Sequence, residues 1–148
     1  MDKNLSAARG KLLRGMVLLS YAGLLLWFSL APRLPRIPLP ALSWDKLHHA
    51  GAYFVLTLLT CWVLLPWGIR QARGRLTALI FALAFGGLVE IAQGLFTDAR
   101  STSLLDMLAN AVGAFAAFGA AFLLFPAPRR DGGRSSCRSP LAGEKKAF

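Results

Sequence analysis

Residues 76–96 read LTALIFALAFGGLVEIAQGLF, a run of twenty-one residues in which Glu90 carries the single formal charge. At about 1.5 Å per residue, a helix of that length matches a bilayer hydrocarbon core of roughly 30 Å. Three more segments repeat the pattern on either side: residues 16–31, 47–67 and 104–125 are almost free of charge. A core helix of a soluble protein shows a polar face and seldom recurs four times in this form. The chain has 148 residues, is 55% hydrophobic and carries a formal net charge of +10. Apolarity and charge coexist because they are segregated along the chain. The fold expected is an all-α integral membrane bundle of four transmembrane helices, residues 1–128. A tail at 129–148, rich in Gly, Ser, Arg and Lys, follows and reads as disordered.

Lys and Arg are retained on the cytoplasmic side of short loops, so their distribution sets the orientation. Four precede the first segment (Lys3, Arg9, Lys11, Arg14), three separate the second from the third (Arg70, Arg73, Arg75), and six follow Phe125. The alternate side holds Arg33, Arg36, Lys46 and Arg100, so the bias is thirteen to four. Both termini are therefore expected in the cytoplasm, and the first and third loops outside it. Ser29-Leu30-Ala31 after a basic stretch has signal-peptide character. The segment is read here as a retained helix, and residues after Ala31 would be extracytoplasmic in either case.

The remaining signals are mostly exclusions. Cys61 lies inside the second apolar segment and Cys137 in the tail, which argues against a disulfide between them and against a metal cluster. No aromatic-basic module accompanies the positive charge, so nucleic acid is not an expected partner; the lipid bilayer is. Pro32, Pro35, Pro38 and Pro40 make the first loop, 32–44, an extended connector, with the second helix beginning at Asp45.

The polar residues converge on the outer ends of three helices. Lys46, His49, Tyr53, Thr57 and Thr60 fall within about 80° of one another on the second helix. Lipid would not satisfy such a stripe, so it is expected to face the bundle. On the third helix Glu90 lies about 6 Å outward of the midplane of residues 76–96, with Gln93 one turn on. Gly86, Gly87 and Gly94 are expected on the same face as a packing seam. Ser103 and Asp106 have the spacing of a capping box at the fourth helix. Asp106, Asn110, Gly113 and Ala117 form a small, polar face, while Phe115, Phe118, Phe122 and Phe125 form a roughly opposite stripe read as the lipid side. Together, Lys46, His49, Tyr53, Glu90, Gln93, Arg100, Asp106 and Asn110 suggest one polar pocket opening outward.

This pattern resembles the VanZ-like family of bacterial membrane proteins, named for a component associated with resistance to the glycopeptide teicoplanin. The matching pieces span residues 29–119. They are Ser29-Leu30-Ala31-Pro32, Asp45-Lys46 with His49 and Tyr53, Glu90 with Gln93, and Arg100, Ser103, Asp106, Asn110 and Gly113. His48, on the opposite helical face, takes no role from the resemblance. The resemblance implies a multi-pass protein of the bacterial cytoplasmic (inner) membrane connected with the cell envelope; it supplies no reaction.

Three functions compete at this stage. The leading expectation is binding of an envelope molecule with a polar or anionic head, such as a lipid-linked cell-wall intermediate or a glycopeptide-like ligand. Lys46 and Arg100 would meet the anionic group, while Glu90, Asp106 and Asn110 orient it. An enzyme using Glu90 or His49 as general base is the second, although no nucleophile motif or metal-ligand set accompanies them. A noncatalytic assembly or transport subunit, with the polar residues locking the bundle, is the third. No cofactor or metal is indicated.

Overall fold

The computed structural model describes residues 2–30, 41–67, 69–96 and 104–126. They form four α-helices: α1 (Asp2–Leu30), α2 (Ala41–Leu64), α3 (Gln71–Phe96) and α4 (Leu104–Leu124). All four are long and apolar enough to cross a membrane, and the chain is built as a multi-pass membrane protein. The proline connector 32–40, Arg100, Ser103 and the tail lie outside the described residues.

Three helices begin before the apolar runs do. α1 starts at Asp2 and α3 at Gln71, so Lys11, Arg14, Arg73 and Arg75 are helical. Charge marks where a membrane segment stops, but Ala, Leu, Arg and Lys are all good helix formers and the backbone continues through them. α2 begins at Ala41, four residues ahead of Asp45, because no proline follows Pro40 until Pro66. Pro66 then lies in a single 3-10 turn, Leu65–Trp67, that ends the helix, since proline offers no N–H to the ladder. The longer α3 has its midpoint near Leu83. Glu90 therefore sits about 10 Å beyond that midpoint by helical rise, closer to the helix end than residues 76–96 alone imply.

Contacts between helices fix an antiparallel arrangement. The Tyr21 hydroxyl donates to Ala52 O at 3.0 Å and Arg14 Nη1 to Trp62 O at 3.2 Å, so α2 descends as α1 rises. Gln93 Nε2 donates to Ser29 O at 2.8 Å, joining the far ends of α3 and α1. Arg75 Nη2 donates to Phe125 O, joining the start of α3 to the end of α4. One end of the bundle thus holds Lys11, Arg14, Arg70, Arg73 and Arg75. The other holds Ser29, Lys46, His49, Glu90, Gln93, Asp106 and Asn110.

The bundle is lined with small residues and coated with large ones. Ala78, Ala82, Ala114, Ala117 and Ala121 are fully buried, whereas Leu19, Trp27, Phe28, Leu95 and Leu123 are exposed. In lipid no hydrophobic force draws helices together, so they associate by close van der Waals approach at small residues. α2 and α4 make the most extensive interface. An ideal Cβ built on Gly113 would lie 2.7 Å from the carbonyl carbon of Ala50 and 2.9 Å from its Cα, so only glycine allows this crossing. Gly86 has a similar but softer role, its Cβ position lying 3.0 Å from Cε1 of Tyr53. Gly87 faces open space and Gly94 is exposed. The three glycines were expected on one seam, but neighbours in a helix diverge by about 100°, so Gly86 and Gly87 cannot both face α2.

The phenylalanine stripe of α4 also divides. Phe115 and Phe122 are exposed, while Phe118 and Phe125 are half-buried against the two apolar clusters of the bundle.

Candidate functional site

The end opposite the basic cluster collects polar side chains from three helices. α2 supplies Lys46, His49 and Tyr53; α3 supplies Glu90 and Gln93; α4 supplies Asp106 and Asn110. On α4 the buried residues are Asp106, Asn110, Gly113, Ala114, Ala117 and Ala121, a three-to-four spacing that puts both polar side chains on the inward face. On α3 the same spacing carries Arg75, Ala78, Leu79, Ala82, Gly86, Val89, Glu90 and Gln93 inward.

The groups differ in depth. Tyr53 is 1% exposed and Glu90 and Gln93 are each 3% exposed, whereas Lys46 and His49 are only half-buried. Lys46 and His49 thus form a rim above an inner layer of Tyr53, Glu90 and Gln93. His49 Nδ1 lies 3.2 Å from Asn110 Oδ1. With the proton on Nδ1, His49 donates to the amide and keeps a lone pair on Nε2, an acceptor at the rim. The Tyr53 hydroxyl is within electrostatic reach of Glu90 and has no hydrogen-bond partner among the described residues. Lower on α2, the Thr57 and Thr60 hydroxyls donate to the carbonyls of Tyr53 and Leu56, both at 2.8 Å. Those two threonines are satisfied within their own helix and add no free polarity to the site.

Comparison with protein-family models, curated proteins and solved structures finds no match for this chain.

Chemically, the assembled groups combine a cation at the rim, a carboxyl beneath, an imidazole fixed by an amide, and a phenol donor. Among the described residues no group of His, Cys, Asp and Glu is placed to hold a metal ion. Of the eight residues expected to form a pocket, seven belong to this end of the helices, with His49 and Asn110 in contact; Arg100 lies outside the described residues. Two backbone contacts that side-chain patterning does not reveal complete the geometry. Ser29 contributes the carbonyl that takes Gln93, and Ala50 contributes the backbone against which Gly113 packs. Backbone groups leave no mark in side-chain patterning, so neither contact had a signal in the sequence.

The His49–Asn110 contact predicts a measurable coupling. In a double-mutant cycle with His49→Phe and Asn110→Ala, the thermal stability of purified protein should show an interaction energy of about 1 kcal/mol. Strict additivity of the two losses would mean that the pair does not bond.

Proposed function

We propose that the chain is a VanZ-like protein of the bacterial inner membrane with both termini in the cytoplasm. Its polar cluster faces the extracytoplasmic side and receives the polar or anionic head of an envelope molecule. The observation that carries this reading is that Lys46, His49, Tyr53, Glu90, Gln93, Asp106 and Asn110, from three separate helices, lie toward one end of the bundle and that all but the two at the rim are buried. Interfacial anchoring accounts for a lysine or an aspartate at one helix end; it does not account for a carboxyl, two carboxamides and a phenol turned inward. The Tyr53 hydroxyl supplies an unspent donor, and Lys46 supplies charge at the rim. The orientation rests on the thirteen-to-four distribution of Lys and Arg.

Binding tests the proposal. Purified protein in nanodiscs, titrated with a lipid-linked peptidoglycan precursor, is expected to lose about tenfold in affinity on Lys46→Ala and again on Arg100→Ala, the scale of one charge-assisted contact. Equal affinity for wild type and both variants removes the ligand-binding reading.

One observation favours a noncatalytic structural role instead. His49 is bonded to Asn110 and Gln93 to the end of α1, so part of the cluster already ties helices together. In that reading Asn110→Ala lowers folded yield in step with any phenotype, and the Lys46 variant, with no helix to release, is silent.

A further inference from the structure

The opposite end of the bundle holds a second polar feature, and it is built differently. Arg75, on the first turns of α3, is 7% exposed. Its described contacts are all neutral: Nη2 donates to Phe125 O and to Gln71 Oε1 at 3.2 Å, and the guanidinium lies 4.2 Å from the Phe122 ring centroid. Its Nε–H has no hydrogen-bond partner among the described residues. A buried cation whose neighbours offer only dipoles keeps most of its desolvation penalty, and an anion is the group that relieves it.

Space for one lies alongside. Arg75 lines a cleft, half open to the surroundings, with Cys61, Leu64, Ile69, Gly74 and Phe125. About 20 Å³ of it can hold the centre of a water-sized group, room for one phosphate oxygen, and apart from Arg75 these neighbours are apolar or carry no side-chain charge. The surroundings mark the depth of lipid headgroups. Lys11 lies 4.8 Å from the Trp67 ring centroid and Arg14 4.8 Å from that of Trp62, a belt of aromatic and basic residues of the kind found at membrane interfaces. Leu65, Trp67 and Ile69 are exposed beside the cleft, where a soluble anion gains nothing and an acyl chain gains contact.

We propose that the cleft formed by the end of α2, the first turns of α3 and the end of α4 seats the phosphate of an anionic membrane lipid, with Arg75 as its charge partner. One phosphate oxygen enters the recess toward Arg75 while the glycerol and chains lie along Leu64, Leu65 and Ile69. This seat is separate from the cluster around Glu90 and Asn110, at the other end of the helices.

The test compares the full chain, purified in detergent, in three titrations followed by thermal midpoint: phosphatidylglycerol, phosphatidylcholine and inorganic phosphate. The expected half-saturation for phosphatidylglycerol is at least about fivefold lower than for phosphatidylcholine, corresponding to roughly 1 kcal/mol for one basic residue near the surface. Inorganic phosphate at the same concentration should give no shift. Arg75→Gln is expected to erase the preference. Because that change also removes the bond to Phe125, Gly74→Leu is the second variant: a Cβ there meets Leu64 at 3.9 Å and Ile69 at 4.0 Å, so the longer side chain fills the cleft with Arg75 intact. It too should lose the preference, while Arg73→Gln, at an exposed arginine, keeps it. Three results overturn the proposal: equal half-saturation for both lipids in the wild type, a full shift with inorganic phosphate, or a preference that survives Arg75→Gln or Gly74→Leu.

Discussion

Gly113→Leu is expected to abolish accumulation of folded protein. The α2–α4 interface is the most extensive in the bundle, and at Gly113 it closes on the backbone of Ala50, where even a Cβ would lie 2.9 Å from Cα. A flexible side chain can turn away from such a clash; a helix backbone moves only by separating the two helices. Overpacking typically costs about 1–3 kcal/mol, and Gly113→Ala should fall at or above the top of that range because the atoms it meets are main chain. Separation at this point also parts His49 from Asn110, so the loss extends into the polar cluster. Gly119→Ala is the matched control. Nothing lies within 4 Å of a Cβ there, and the substitution should be neutral or stabilise by up to about 1 kcal/mol through helix propensity. Thermal unfolding of the two alanine variants side by side checks the pair, and comparable midpoints would show that α2 and α4 do not cross as closely as described.

Glu90→Gln should behave in the opposite way, leaving the fold intact and, on the proposed reading, weakening ligand binding. The amide keeps the shape of the carboxyl but carries no charge. Glu90 is 3% exposed and lies within the third membrane span. An acidic residue at a helix centre costs roughly 2.5–3.5 kcal/mol to insert, and the penalty falls toward the interface. About 10 Å from the α3 midpoint the penalty is smaller and is offset by the carboxyl's own interactions, so neutralising Glu90 is expected to change stability by no more than about 1 kcal/mol in either direction. If the carboxyl orients a ligand at the Lys46 rim, the same substitution lowers affinity for a lipid-linked peptidoglycan precursor by about tenfold or more. A fall in folded yield with unchanged affinity per folded molecule would instead assign Glu90 to holding the helices together.

Much of this architecture is legible from residue patterns, for identifiable reasons. Runs such as 104–125 stand out because water and hydrocarbon impose opposite demands on the same side chains, and α4 ends one residue short of the run. The shared face of Asp106, Asn110 and Gly113 follows from helical spacing alone. What escaped is set by contacts between elements. Asparagine at 110 reads as inward-facing, yet its pairing with His49 depends on how far α2 and α4 slide past one another. Arg75 reads as a marker of orientation, whereas in the bundle it is buried. The signal was present: Arg75, Ala78, Ala82, Gly86, Val89 and Gln93 follow one three-to-four stripe, which places the arginine on the packed face of α3. The early starts of α1 and α3 were hidden because charge ends an apolar run without ending a helix.

On the two proposals the ends of the bundle have different tasks: Arg75 and its apolar cleft would face lipid phosphate at the basic end, and Lys46, His49 and Glu90 would receive an envelope ligand at the other. That division has meaning only if the ends lie on opposite sides of the membrane in the proposed sense. Single cysteines introduced as His48→Cys, Ala99→Cys and Ala72→Cys, with Cys61 and Cys137 replaced by alanine, test this in intact cells with a membrane-impermeant maleimide. The account predicts labelling at positions 48 and 99 from outside, and at 72 only after the membrane is opened. Labelling of position 72 in intact cells, with 48 and 99 protected, would contradict it.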